Sequence, residues 1–210
     1  MGQAESQPQS GHGHAPASTG NSSTLAFHVL RVAENSPAAE VGIEPFFDFI
    51  VGAAGRQLGD DLDLLTDVLE VNEGGEVALQ IYSTKRKEVR GSVDGEPSLL
   101  GLSLRLCNPH HALDQVWHVL EILEGSPAQS AGLVPYGDWI VGYAGGVLRG
   151  EGDFYDVVEA HVDKPLRLFV YNSDYDVTRE AILVPNRSWG GEGLLGCGVG
   201  YGLLHRIPKP

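Results

Sequence analysis

Apolar and polar positions alternate between two periods along this chain. Residues 27–32 are apolar and rich in β-branched side chains, which predicts a strand. Asn35-Ser36-Pro37 is a helix-start signal, with Ser as N-cap and Pro at the first helical position, and Gly42 closes that short helix. A strand is predicted over residues 48–51. Over residues 60–71 the period lengthens. Leu62, Leu65, Val68 and Leu69 fall at i, i+3, i+6 and i+7, one face of an amphipathic helix. Strand character returns over 77–83, 88–93 and 100–107. The same order then recurs: a strand over 116–123, a short helix opened by Ser126-Pro127 and closed by Gly132, and a strand over 139–141. A longer helix follows over 154–161, with Phe154, Val157, Val158 and His161 on one face, and then strands over 166–171, 179–184 and 195–203. These elements predict a mainly β fold with short helices, of the α+β class.

The recurrence is also literal. Residues 28–55 return as residues 118–145 at a constant offset of 90, with 15 of the 28 paired positions identical. Ninety residues is the size of a domain rather than of a solenoid unit. The chain is therefore read as a tether (1–24), a first domain (25–108) and a second domain (114–207), with the boundary at 108–114. Duplication of a small domain points to a binding device, because a single catalytic centre does not require a second copy.

With 210 residues and 42% hydrophobic content, two modest cores are affordable. The net charge of −14 argues against nucleic-acid phosphates and anionic lipid as partners held by bulk attraction. Two cysteines, Cys107 and Cys197, without framework spacing suit a reducing compartment. No apolar run approaches the ~20 residues that span a bilayer, and the N-terminus shows no secretory apolar region. It does read Met1-Gly2-Gln3-Ala4-Glu5-Ser6, the acceptor pattern for a myristoyl group on Gly2. The following Ser-, Gly-, Pro- and His-rich stretch to Thr24 is expected to be a disordered tether; His12 and His14 within it are incidental. One myristoyl chain binds membrane with K of only about 10⁴ M⁻¹, and this stretch holds no Lys or Arg, so a membrane-resident partner or a second acyl chain has to supply the rest.

The order strand, Ser-Pro-Ala helix, strand, helix, strand resembles a PDZ domain. Leu99-Leu100-Gly101-Leu102 and Leu194-Leu195-Gly196-Cys197 look like carboxylate-binding loops placed at the end of each repeat, the circularly permuted arrangement. The string from Trp189 to Pro208, with Glu44-Pro-Phe-Phe-Asp-Phe-Ile50 and Val116-Trp-His-Val-Leu120, resembles the tandem PDZ region of the Golgi reassembly and stacking protein (GRASP) family. That resemblance implies a lipid-anchored scaffold, not an enzyme, on the cytosolic face of Golgi membranes. It would self-associate, bind the C-terminal tails of golgin-type coiled-coil proteins, and support cisternal stacking and unconventional secretion. Family members carry a Ser/Pro-rich regulatory tail beyond the tandem domains, and this sequence ends at Pro210, before any such tail.

PDZ binding is strand addition beside a helix, with the peptide carboxylate resting on backbone N–H groups. The expected groove residues are Val68, Leu69, Leu99, Leu100, Gly101, Leu102 and Leu104 in the first repeat, and Leu194, Leu195, Gly196 and Cys197 in the second. Trp189-Gly190-Gly191 precedes the second loop, whereas the first has Asp94-Gly95-Glu96-Pro97-Ser98, so the two pockets differ. Gly196, Gly198, Gly200 and Gly202 alternate along the last strand, a side-chain-free face that admits another backbone or a bulky ring. By the resemblance, Tyr201, Gly202, Leu203, Leu204 and His205 serve as an internal ligand for a neighbour's groove. His28 and Cys107 match positions that hold Zn²⁺ together with ligands from a bound golgin; no cofactor is required otherwise. The rival readings are a regulatory PDZ pair of a processing protease and a zinc hydrolase built on His110, His111, His118 and Cys107. The chain lacks H-E-x-x-H, G-x-S-x-G and a P-loop.

Overall fold

The computed structural model describes residues 25–72, 75–93, 100–145 and 148–208. The first repeat contains β1 (Ala26–Val32), α1 (Pro37–Glu40), β2 (Asp48–Ala53), β3 (Arg56–Gln57), α2 (Leu62–Val71), β4 (Val77–Ser83), β5 (Glu88–Val93) and β6 (Leu102–Cys107). A short helix α3 (Pro109–Ala112) leads to β7 (Trp117–Ile122), α4 (Pro127–Ser130), β8 (Asp138–Tyr143), α5 (Glu151–Ala160), β9 (Leu166–Asn172), β10 (Val177–Leu183) and β11 (Cys197–Tyr201). A 3-10 turn, Leu203–His205, follows.

The two antiparallel sheets share one topology, β5-β4-β2-β1-β6 with β3 appended to β2, and β10-β9-β8-β7-β11. The last strand of each repeat returns to pair with the first, so β6 and β11 are edges whose outer side faces α2 and α5 respectively. Both sheets bulge at the same place: β1 shifts register against β6 between Val29 and Arg31, and β7 shifts against β11 between Val119 and Ile122. The extra residue lies in β1 and in β7, the partners of the edge strands.

The Ser-Pro-Ala helices form as their sequences dictate. Ser36 Oγ accepts from Ala39 N–H and Ser126 Oγ from Gln129 N–H, with Pro at the first helical position in both. Gly42 and Gly132 then end them at φ +69° and +70°. Each sheet packs its longer helix over its own core, Leu65 and Val68 against Ile50, Leu79 and Ile81 in the first repeat, Phe154 and Val158 against Trp117, Ile140 and Leu168 in the second.

A third apolar cluster joins the repeats. Phe46 and Phe47 pack with Val116, Trp139, Val141 and Tyr171, and Phe47 meets the Tyr171 ring edge-on at 4.7 Å. Lys85 closes this contact: its ammonium pairs with Glu44 of its own repeat at 3.0 Å and with Asp176 of the other. It lies 5.1 Å from the Phe47 ring centre.

The final strand departs from expectation. It covers five residues, because Gly202 at φ +93° turns the chain into the 3-10 turn. Gly196, at φ +63°, belongs to the preceding loop. The four glycines therefore do not share one strand face. Rings nevertheless occupy the space at two of them: a Cβ on Gly200 would meet His205 at 2.3 Å, and one on Gly196 would meet Trp189 at 2.9 Å.

Candidate peptide-binding grooves

The loop entering each edge strand is held from behind. Ala128 N–H donates to Leu195 O (2.9 Å) and Leu123 N–H to Gly196 O (2.8 Å). In the first repeat Ala38 N–H donates to Leu100 O (3.3 Å) and Ala33 N–H to Gly101 O (2.7 Å). In a planar trans peptide the N–H points opposite to the C=O. Carbonyls bound on the far side thus turn the N–H groups of Gly196 and Cys197, and of Gly101 and Leu102, toward the groove. This is a backbone nest suited to a carboxylate.

The duplicated Ser-Pro-Ala segment explains why glycine stands there. A Cβ on Gly196 would lie 2.3 Å from Ser126 Cβ, and one on Gly101 2.4 Å from Ser36 Cβ. The N-cap serine of the short helix is thus the wall against which the loop rests. In the second repeat Trp189 adds a second wall. Its Nε1–H donates to Gly193 O at 3.0 Å and its ring covers Gly191 and Gly196. The counterpart stretch of the first repeat lies outside the described residues, as does Leu99.

Between β11 and α5 runs a groove of about 520 Å³ lined by Leu194 to Val199, Val158, Tyr155, Glu159, Arg187, Glu192 and Glu121. Leu194 and Leu195 line this groove and also belong to the core of the second repeat, and Leu100 belongs to the core of the first. Leu102, Leu104 and Leu69 are half-buried and pack on the first core beside fully buried Val68, forming floor and wall. Cys197 is also half-buried, and burial pushes its thiol up to about 11, so it is neutral and behaves as a small apolar surface at physiological pH. Val158 was placed on the apolar face of its helix by spacing, whereas Tyr155, Glu159, Arg187, Glu192 and Glu121 were not singled out from sequence.

The segment expected to act as an internal ligand is partly engaged at home. The Tyr201 ring packs on Trp117 at 5.1 Å, and Trp139 Nε1–H donates to His205 O at 3.0 Å. Leu203 and Leu204 are the exposed part, at 73% and 92%. To add as a strand to a neighbour's groove, this 3-10 turn has to unwind at Gly202.

His28 and Cys107 do come together. Ala26 lies opposite Cys107 and His28 opposite Arg105 on the β1–β6 ladder, so the two are diagonal neighbours on one face. They do not fit a metal in this arrangement. His28 is 1% exposed and stacks on Phe49, its Nε2–H donates to Phe46 O at 2.6 Å, and its Nδ1 accepts from Arg105 at 3.3 Å. Both nitrogens are occupied, and a guanidinium stands where a cation would have to enter. Burial pushes the Cys107 thiol up, an effect Arg105 offsets in part. His118 repeats the His28 arrangement, stacked on Trp139 with Nε2–H on Tyr136 O at 3.0 Å. These histidines brace the turns of Phe46 and Tyr136, which hold φ of +70° and +61°. Among the described residues no three metal-ligating side chains cluster.

The buried imidazole makes the first repeat acid-sensitive. Burial, with Arg105 adding to it against the Phe46 hydrogen bond, lowers the His28 pKa from 6.5 to about 4. Between those values the unfolded chain binds more protons than the folded one, so stability falls as pH drops from 6.5 toward 4, by up to about 1.4 kcal/mol per pH unit. The urea midpoint of the first repeat, followed by the amide signals of β1 and β2, should therefore fall on acidification. His28→Gln should flatten that response; an unchanged slope would refute the assignment.

Two PDZ-like domains of permuted order, each with a loop nest at the head of an edge strand, define this chain as a tandem PDZ-like protein. Comparison of its sequence with known families carries this further. The chain belongs to the GRASP55/65 PDZ-like domain family, whose profile matches residues 14–94 and 91–210. It is 42% identical over 214 aligned residues to Golgi reassembly-stacking protein 1 of Mus musculus, covering 99% of this chain and 45% of that protein. The Homo sapiens protein of the same name is 45% identical over 188 residues, 87% of this chain and 42% of the relative. An uncharacterized protein of Schizosaccharomyces pombe is 38% identical over 190 residues, 89% and 54% respectively. The chain thus spans about half the length of these curated relatives. Membership in this family sets aside the protease-linked PDZ pair. No helix among the described residues is long and apolar enough to cross a membrane.

Proposed function

We propose that this chain is the peptide-capturing part of a Golgi scaffold. Its two grooves hold C-terminal tails of golgin-type coiled-coil proteins and segments of further copies of itself, on the cytosolic face of Golgi membranes, in support of cisternal stacking and unconventional secretion. A myristoyl group on Gly2, which lies outside the described residues, would keep it there. We assign it no catalytic reaction. The observation that carries this reading is the nest of N–H groups beside an open edge strand, built the same way in both repeats. The relatives' name, Golgi reassembly-stacking protein, supplies the compartment. Zinc at the partner interface has no support from His28 as it stands, since Arg105 would first have to leave.

The test is direct. A hydrophobic C-terminal peptide with a free carboxylate should bind, and its amidated form should lose about tenfold or more in affinity, the worth of one charged hydrogen bond; equal binding of both forms would end the proposal. For the lipid, Gly2→Ala should shift the protein from Golgi membranes to cytosol in fractionated cells, because nothing else in the first 24 residues offers a membrane grip. Unchanged retention would remove myristoylation from the scheme.

A further inference from the structure

The repeats carry opposite charges at one matched position. The offset of 90 that aligns them pairs Arg31 of β1 with Glu121 of β7; Arg31 follows the bulge of β1, and Glu121 lies within the bulge of β7, between Val119 and Ile122. Arg31 lies opposite Ser103 of β6, with its Nε 4.0 Å from Glu180 Oε1 of the second repeat. Glu121 lies beside Gly198 of β11, where a Cβ would meet Glu121 Cγ at 3.6 Å. With no side chain on Gly198, the exposed Glu121 reaches across the edge strand and forms part of the groove wall.

The remaining charges of that groove leave it acidic. Arg187 Nη2–H donates to both carboxylate oxygens of Glu159, at 3.1 and 3.0 Å, which neutralises the one cation lining it. Glu121 and Glu192 enter no ion pair among the described residues. An extended peptide added to β11 alternates its side chains. With the carboxylate in the nest, its last and third-last residues face Val158 and Tyr155 of α5. The second- and fourth-last point the other way, over β11 toward Glu121.

We propose that the second groove selects C-terminal tails bearing Lys or Arg at the second- or fourth-last residue, and that Glu121 reads that charge. At the matched point of the first repeat stands Arg31, which faces Glu180 of the second repeat and supplies no carboxylate, so the same tail is not favoured there and the duplicated grooves sort different partners. This rests on the carboxylate-binding reading above, and the experiment separates the two.

Peptides identical except for Lys, Ala or Glu at the second- and fourth-last residues, each as free acid and as amide, are titrated into the full chain. The indole N–H signal of Trp189, which covers the second loop, reports occupancy of that groove. Lys should bind tighter than Ala and Ala tighter than Glu, by about two- to fivefold per step, the range of an exposed ion pair. The order should shrink in about 0.5 M salt. Glu121→Arg, at an exposed site whose counterpart is already Arg31, should reverse the order. Free acids that bind without this order, or an order that survives Glu121→Arg, overturn the charge selection and leave the groove reading intact. Amides that bind as well as acids, or peptides that never move the Trp189 signal, overturn both.

Discussion

Replacing Asp138 with Ala should destabilise the second repeat by about 3–5 kcal/mol, the usual cost of removing one partner of a buried ion pair. Its carboxylate is fully buried yet completely engaged. Arg179 donates to Oδ1 at 3.0 Å and to Oδ2 at 2.6 Å, Asn172 Nδ2–H to Oδ1 at 2.7 Å, and Val134 N–H to Oδ2 at 2.8 Å. Truncation removes the acceptor of Asn172 Nδ2–H and Val134 N–H and leaves Arg179, still bound to Gly132 O, without its counter-charge. The damage extends to the groove, because Asp138 braces the turn from α4 to β8, and α4 is the wall behind the carboxylate loop. The first repeat supplies an internal comparison. Asp48 takes Arg90 at 2.5 Å and Glu44 N–H at 2.9 Å on Oδ2, but its Oδ1 has no partner. The reason is a single exchange: Ser83 stands opposite Asp48 where Asn172 stands opposite Asp138. Asp48→Ala should therefore cost less. Urea unfolding followed by tryptophan fluorescence is the measurement for Asp138, since Trp117, Trp139 and Trp189 all lie in the second repeat. An unchanged midpoint would show that the network contributes nothing net.

Where a feature of this fold is local, it could be read from the residues alone. The spacing of Leu62, Leu65 and Val68 predicts α2, and Ser36-Pro37 and Ser126-Pro127 predict both short helices with their caps. The Leu-Leu-Gly strings mark the loops that enter β6 and β11. What stayed hidden depends on groups distant in sequence. His28 looks like a metal ligand until Phe46, 18 residues away, and Arg105, 77 away, take its two nitrogens. That Leu100, Leu194 and Leu195 also anchor the cores became visible only with the bonds behind the loop and the burial of their side chains. Gly202 shares its alternating pattern with three other glycines, and only its positive φ distinguishes a strand end from a strand interior. β3 has two residues and no apolar pattern, so period carries no signal for it. Glu121 was legible in principle, as the charged mismatch in an otherwise matching quartet, His28-Val-Leu-Arg31 against His118-Val-Leu-Glu121. Its meaning needed the bulge and Gly198.

Gly196→Ala should abolish peptide capture by the second groove while leaving the fold assembled. Two costs combine at this residue. Its φ of +63° is a left-handed conformation that costs an L-residue about 1–2 kcal/mol. The added methyl would also stand 2.3 Å from Ser126 Cβ and 2.9 Å from the Trp189 ring. Ser126 is buried and capped into α4, so the loop has to yield instead, and the N–H groups of Gly196 and Cys197 move off the carboxylate. Loss of two charged hydrogen bonds at about 1.5 kcal/mol each corresponds to about a hundredfold in affinity. Gly132→Ala separates strain from contact. It carries a similar φ of +70° but nothing lies within 4 Å of the added methyl, so it should lower stability by a comparable strain energy and leave affinity alone. Calorimetric titration of a free-carboxylate peptide into both variants, beside their thermal unfolding, tests the distinction. If Gly132→Ala weakens binding as much as Gly196→Ala, general destabilisation explains the loss; if Gly196→Ala binds normally, the carboxylate does not rest on this loop.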